Sequence, residues 1–251
     1  MISVRRWLSQ TYSKIQKLSR GSKHPTAGII VIGDEILKAQ VKDTNSFYAC
    51  RLLHKHGIKT KKISIVGDDI RDIAAEINHF SRRYAYVITS GGVGPTHDDV
   101  TYEALANAFH DSLHYHPTLV NIVMNEFGYK EMSSPAFKMA HVPTRASLKF
   151  AVNNVTGKSL SYPCIVLKNV HVFPGSPIFF EMSFGTLCKN LFSGSTGFAT
   201  AEIYINAAEE TFANALSSVA MEYPNVSFGS YPERNREREL QVLHSADNNR
   251  E

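Results

Sequence analysis

A glycine-rich turn has the residue types and spacing best suited to bind a phosphate. Residues 90–101 read Ser-Gly-Gly-Val-Gly-Pro-Thr-His-Asp-Asp-Val-Thr and directly follow a short apolar run. Glycines leave backbone N–H groups open to an anion, and the dipole of a following helix adds attraction. The spacing is neither G-x-G-x-x-G nor a P-loop, which would continue with Lys-Ser/Thr. The residues predicted to bind the ligand diphosphate are Ser90, Gly91, Gly92, Gly94 and Thr96.

Two adjacent carboxylates, Asp98 and Asp99, lie in the same turn. Negative charges beside an anion site repel the ligand unless a divalent cation bridges them, so the pair indicates metal-assisted chemistry on a phosphate. The alternative is structural, with Asp99 as a helix cap and Asp98 as a partner of the helix dipole. We favour the metal site, with Mg²⁺ or Co²⁺ as the cation, because glycine loop, strand end and paired acids coincide.

Acidic residues also follow the first two predicted strands. Asp34 and Asp43 come after the first strand, together with Asn45, and Asp68 comes after the second. Because the carboxyl ends of parallel strands share one edge, we expect these side chains to converge beside the glycine turn. Asn45 is predicted to donate a hydrogen bond to the ligand, and Asp43 to take part in substrate binding. Either Asp68 or Asp43 is predicted to bind the metal or orient a water. The predicted catalytic residues are Asp68, Asp98 and Asp99, and the predicted metal ligands are Asp43, Asp98 and Asp99.

The elements that must position these residues alternate between strand and helix periodicity. The predicted strands cover 27–33, 61–66, 84–89, 164–167 and 170–173. The predicted helices cover 44–56, 69–80, 100–109, 119–127, 135–142 and, after a turn at 173–177, 178–191. Strand and helix in alternation are typical of right-handed crossovers and a parallel sheet. The fold class is therefore predicted to be α/β.

The last sixty residues read differently. A strand at 202–206, a helix at 209–221 and a strand at 226–230 predict a small α+β addition. The predicted organisation is thus a leader (1–25), a main domain (26–192) and a C-terminal extension (193–251).

The positive charge of the chain is concentrated at its start. Six of the 27 basic residues precede Asp34, the first acidic residue, whereas the other 21 are outnumbered by 23 acidic residues. A basic, acid-free, serine-containing and amphipathic segment is typical of a mitochondrial transit peptide. We expect import into the mitochondrial matrix; the alternative is a solvated basic tail on a cytoplasmic protein. The remaining charge does not indicate a nucleic-acid partner.

Composition excludes several classes of protein. Hydrophobic residues make up 43% and charged residues 20%, which is typical of a globular protein and not of a disordered one. No apolar stretch approaches eighteen residues, so no membrane span is predicted. The three cysteines, at positions 50, 164 and 188, are scattered, which excludes a disulfide framework and a thiolate zinc site.

Four segments taken together resemble the MoaB/Mog-type molybdopterin-binding domain. They are TAGIIVIGDEIL (26–37), DTN (43–45), GGVGPTHDDVT (91–101) and FPGSP (173–177). The likeness is greatest to the form at the amino end of eukaryotic FAD synthase and in CinA-type proteins. It implies a three-layer αβα sandwich with a mainly parallel sheet, a ligand crevice at the glycine turn, and a homo-oligomer, either a dimer or a trimer.

The family that the sequence resembles contains two branches with different functions. One branch adenylates molybdopterin; the CinA-like and FAD synthase-associated branch is linked to metal-dependent cleavage of nucleotide diphosphates. His97 stands where the first branch commonly has an arginine, so the likeness implies hydrolysis of FAD to FMN and AMP, or of ADP-ribose. The alternatives are a non-catalytic pterin- or dinucleotide-binding module that works with a separate FAD synthase, and molybdopterin adenylyltransferase. Because the chain ends near where a nucleotide-transferring domain would begin, we expect it not to synthesise FAD.

Overall fold

The computed structural model describes most of the chain in two compact units. The described residues are 24–125, 127–152, 160–192, 197–198, 200–205, 207–224, 226–232 and 240–246. One unit comprises Pro25–Gly194; the other combines Met1–His24 with Ser195–Glu251. The predicted leader falls almost wholly outside the described residues, so import stays a prediction.

The unit 25–194 contains eight strands and six α-helices among its described residues. The strands are β1 (Thr26–Ile32), β2 (Lys59–Val66), β3 (Tyr86–Ser90), β4 (Leu113–Tyr115), β5 (His141–Pro143), β6 (Ser147–Lys149), β7 (Cys164–Leu167) and β8 (Val170–Phe173). The helices are α1 (Asp34–Leu37), α2 (Asn45–Lys55), α3 (Ile70–Arg83), α4 (Thr101–Ala108), α5 (Pro117–Asn125) and α6 (Pro177–Leu191).

Six of the strands form one sheet in the order β2-β1-β3-β8-β7-β6. The pairs β1–β2, β1–β3 and β3–β8 are parallel, whereas β7 and β6 add antiparallel strands at one side. In register, Val31 lies opposite both Ile65 and Ser90, so the carboxyl ends of β1, β2 and β3 share one edge. The prediction of a mainly parallel α/β sheet is confirmed.

Helices cover both faces of this sheet. On β1 the neighbours Ile29 and Ile30 are fully buried in two different apolar clusters, because successive strand residues point to opposite faces. Ile30 packs with Phe80 of α3 on one face, and Ile29 packs with Phe184 of α6 on the other. This is the predicted three-layer sandwich.

One predicted helix of this unit is wrong in part. The segment 135–142 forms a 3-10 helix over Pro135–Ala140, after which His141–Pro143 is strand β5. Strand β5 pairs with β4, with His114 opposite Val142. A partner strand distant in sequence therefore overrides a local helical pattern.

The second unit is the predicted small α+β addition. Its described elements are β9 (Thr200–Ile205), a 3-10 helix (Glu209–Thr211), α7 (Ala213–Glu222), β10 (Val226–Pro232) and β11 (Leu240–Ala246). The strands form an antiparallel sheet in the order β10-β11-β9. The sequence predicted two of these strands but not the central one, β11.

Within the described part of the chain, no helix combines the length and the apolar character that crossing a bilayer requires.

Candidate functional site

The glycine turn follows β3 and is shaped by its close approach to the end of β1. Gly91 has φ of +114° and Gly92 has φ of +64°. A Cβ atom on Gly91 would lie 2.0 Å from the carbonyl oxygen of Ile32. On the other side, buried Thr101 donates its hydroxyl to the Gly91 carbonyl (2.9 Å) and its N–H to the Gly92 carbonyl (2.9 Å). The turn can therefore exist only without side chains at these positions.

Three consecutive N–H groups of this turn are available to a ligand. Among the described residues, the N–H groups of Gly92, Val93 and Gly94 meet no hydrogen-bond acceptor, whereas that of Gly91 donates to Phe173. These residues are partly exposed. Backbone donors arranged in succession before a helix form a concave site for an anion.

The residues that follow bring together three oxygen-bearing side chains. The Thr96 hydroxyl oxygen lies 2.5 Å from Asp98 Oδ1 and 2.5 Å from Asp99 Oδ2. Thr96 also donates its N–H to Asp99 Oδ2 at 2.9 Å. A hydroxyl has one proton to donate, so two carboxylate oxygens compete for it. Helix α4 begins at Thr101 with Val100 before it and no side-chain cap, so Asp99 is not the cap of this helix.

The charge of Asp98 is stabilised in this arrangement. Its pKa is lowered mainly by the hydrogen bond from Thr96, then by its own backbone N–H and by electrostatic interaction with His97 and Lys138. Since an ordinary aspartate is already ionised at neutral pH, Asp98 stays a carboxylate there and is ready to bind a cation.

A second acidic group comes from the ends of β1 and β2. Asp68 Oδ2 accepts the Asp34 N–H at 2.9 Å, and Asp34 pairs with Lys38 at 2.7 Å. The pKa of Asp34 is lowered by the hydrogen bond and charge of Lys38, and the negative charge of Asp98 opposes this shift. Asp34 and Asp68 are thus in direct contact at the ends of β1 and β2, whereas Asp98 acts on Asp34 only through its charge.

Asp43 caps a helix. Its Oδ1 accepts the Ser46 N–H at 3.0 Å, and its Oδ2 accepts the Ser46 hydroxyl. Both carboxylate oxygens thus accept hydrogen bonds from Ser46 in the first turn of α2.

Asn45 joins three segments that are far apart in sequence. Its amide nitrogen donates to the Ser90 hydroxyl at 2.9 Å and to the Gly175 carbonyl at 2.8 Å. Both amide protons are thereby used within the protein, although the sequence predicted Asn45 as a donor to ligand. Its Oδ1 is buried without a partner. The side chain holds the end of β3 against the loop that leads into α6.

Sequence reasoning missed Lys138. This residue lies on the 3-10 helix and donates from Nζ to the Thr96 carbonyl at 2.7 Å and to the His97 carbonyl at 3.5 Å. The separation of about forty residues and the surrounding sequence give no signal for this contact; only the tertiary fold produces it.

The described residues contain no group of three or more His, Cys, Asp or Glu side chains arranged as a ready metal cage. The residues that could hold a cation are Asp98 and Asp99 together with the Thr96 oxygen. Such a set suits Mg²⁺, which is usually bound through one or two carboxylates, with substrate phosphates and water completing its coordination.

Comparison with family models divides the chain at the boundary between the two units. Residues 28–194 match the family described as "Probable molybdopterin binding domain". Residues 197–247 match the family described as "FAD synthase, middle domain".

Curated relatives agree with these matches. A "Probable FAD synthase" of Caenorhabditis briggsae is 41% identical over 229 residues, which cover 83% of this chain and 43% of the relative. A second "Probable FAD synthase", from Caenorhabditis elegans, is 37% identical over 85% of this chain and 45% of the relative. The chain thus spans less than half the length of these two relatives. A protein of Archaeoglobus fulgidus is 32% identical over 81% of this chain and 84% of its own length.

Among solved structures, the protein CinA from Thermoplasma acidophilum is similar with a TM-score of 0.60 and 26% identity. The match covers 68% of this chain and 99% of CinA. The chain therefore belongs to the molybdopterin-binding domain family of MoaB/Mog type and is related to FAD synthases and CinA-like proteins.

Proposed function

We propose that the chain is a metal-dependent diphosphatase that hydrolyses FAD to FMN and AMP, or ADP-ribose to its two monophosphates. The observation that carries the proposal is the meeting of Thr96, Asp98 and Asp99 oxygens beside three available N–H groups. The site fits a diphosphate with a bound cation. Its N–H groups can bind the phosphate oxygens, and its carboxylates can bind a divalent cation.

The relatives support the flavin part of the proposal. Two of them are named as FAD synthases, and the second unit matches the middle domain of that enzyme. FAD carries the diphosphate that the glycine turn would bind.

In the proposed reaction, a water oxygen attacks one phosphorus of the diphosphate, and the bond to the bridging oxygen breaks. The N–H groups of Gly92–Gly94 would hold the phosphate oxygens, and Asp98 and Asp99 would hold the cation. When bound, a divalent cation neutralises phosphate charge and lowers the pKa of water. Asp68, fixed by the Asp34 N–H, orients the attacking water and accepts its proton.

The test is product analysis. Protein incubated with FAD and Mg²⁺ or Co²⁺ should yield FMN and AMP in equal amounts, separated by chromatography, and chelation of the metal should stop the reaction. Asp99→Ala should reduce turnover about 100-fold, equivalent to about 2.7 kcal/mol of barrier. A folded Asp99→Ala protein with unchanged turnover would contradict the proposal.

A second candidate is a non-catalytic binding module that works with a separate FAD synthase. Residues 197–247 match the family described as the middle domain of FAD synthase, which has other domains on both sides. This match favours the binding module. Saturable binding of FAD without products would identify this function.

A further inference from the structure

Lys138 brings a positive charge to the acidic turn from a different part of the chain. Its Nζ lies 2.7 Å from the Thr96 carbonyl oxygen and 3.5 Å from that of His97. Its charge also contributes to the lowered pKa of Asp98. The side chain is partly exposed, so its ammonium group is accessible to a ligand at this turn.

The charge of Lys138 is not neutralised by its contacts. Both of its described acceptors are uncharged carbonyl oxygens. By contrast, Lys38 on the same edge forms an ion pair with Asp34 at 2.7 Å. An ammonium group has three N–H donors, so Lys138 keeps at least one for a ligand after its two carbonyl contacts.

The backbone that carries Lys138 is firmly anchored. Its neighbours Ala136 and Phe137 are buried in the core, with Phe137 only 1% exposed. The next residue, Met139, accepts a hydrogen bond from the Tyr162 hydroxyl, which in turn contacts the hydroxyl of buried Tyr102 at 3.2 Å. A lysine on an anchored backbone loses less conformational freedom on binding a ligand than a lysine on a free loop.

We propose that Lys138 is a substrate-binding residue that donates a hydrogen bond to a phosphate oxygen of the bound diphosphate. The inference rests on the proposed function, because it assigns a role at the same site. A positive charge at this position also reduces the repulsion that the carboxylates of Asp68, Asp98 and Asp99 exert on an anion. Lysine is a common phosphate ligand that acts as a point charge.

The experiment uses inorganic pyrophosphate with Mg²⁺ as the probe, measured by isothermal titration calorimetry on the full chain. Lys138→Gln should raise Kd at least tenfold, and Lys138→Arg, which keeps the charge, should stay within about threefold of the unmodified protein. The matched control is Lys149→Gln on the outermost strand β6, three strands away from β3, where the same charge change should have no effect.

A salt titration separates ligand binding from a purely structural role. If Lys138 contacts the anion, Lys138→Gln should flatten the dependence of Kd on NaCl concentration, because one screened attraction is lost. Equal Kd values and salt slopes for the Lys138→Gln and Lys149→Gln proteins would overturn the inference. The inference would also be overturned if Lys138→Gln lowered the thermal stability and Lys138→Arg restored neither the stability nor the affinity.

FAD turnover in the same proteins distinguishes the two proposals. Hydrolysis by the unmodified chain with no effect of Lys138→Gln on KM would leave the function standing and the Lys138 assignment wrong. Pyrophosphate affinity that depends on Lys138, in a protein without turnover, would support the assignment and reject the hydrolase. Failure of the unmodified chain to bind Mg²⁺-pyrophosphate would overturn both.

Discussion

Gly91 lies where β1 and β3 end, in a backbone conformation that residues with side chains rarely adopt. We expect Gly91→Ala to lower the free energy of unfolding by about 3 kcal/mol or more, because the positive φ and the contact with the Ile32 carbonyl both disfavour a Cβ. Urea-induced unfolding measures the change. Pyrophosphate affinity should fall as well, since the available N–H groups follow directly.

Gly128 provides the matched control for this prediction. It also has a positive φ, +77°, but an added Cβ would meet no atom within 4 Å. Gly128→Ala should therefore lose only about 1–2 kcal/mol, for the backbone conformation alone. Equal losses in the two variants would show that the approach of Ile32 is not what requires glycine at position 91.

At single positions, sequence reasoning was better at naming residue types than at naming their partners. Gly91 and Gly92 were singled out because glycines leave backbone N–H groups open to an anion, and the structure adds that their positive φ values also favour glycine. The use of both Asn45 protons within the protein was not predictable, since its acceptors lie 45 and 130 residues away. The same holds for Lys138, whose contact depends on the fold around the 3-10 helix.

At the scale of elements, the adjacent aspartates between β2 and α3 should have different roles. Asp69 accepts the N–H groups of Arg71 (2.8 Å) and Asp72 (3.1 Å) and so caps α3. Asp69→Ala should lower the free energy of unfolding by about 1 kcal/mol and leave FAD turnover unchanged. Asp68→Ala should instead reduce turnover. Urea unfolding and product analysis on both proteins test this pair.

The control for the cap is Asp69→Asn, which keeps an oxygen acceptor and should retain nearly full stability. If Asp69→Ala lowered turnover as strongly as Asp68→Ala, the assignment of cap and catalytic residue would be wrong.

Elements with a continuous apolar run were predicted well, and three-residue strands were predicted poorly. Strands β7 and β8 match the predicted ranges, because continuous apolar runs are strong local signals, and helix α6 begins one residue earlier than predicted, at Pro177. Strands β4, β5 and β6 have three residues each, too few for a period to be recognised. Such strands are determined by their pairing partners rather than by their own sequence.

At the scale of the whole molecule, the unit 25–194 should fold independently. Its core clusters consist of its own residues, and its end coincides with the end of the molybdopterin-binding domain match. A fragment of residues 24–194 should unfold cooperatively, as followed by circular dichroism, and bind Mg²⁺-pyrophosphate with the affinity of the full chain. A fragment without a cooperative transition would contradict this prediction.

The order of strands and helices was sufficient to predict the layered architecture, because few topologies accommodate it. Oligomeric state and mitochondrial import depend on surfaces and on residues outside the described ranges, and they stay predictions. Gel filtration and expression with and without residues 1–25 would test them.

The hydrogen bonds of Asn45 have a consequence for folding during translation. Its two acceptors, Ser90 and the Gly175 carbonyl, lie far apart in the chain, and the second leaves the ribosome late. A nascent polypeptide that stops short of Gly175 lacks the second acceptor of Asn45, and closing so long a loop is entropically unfavourable until its partners have emerged. The contact that holds the end of β3 against the loop before α6 can therefore form only after most of this domain has been translated.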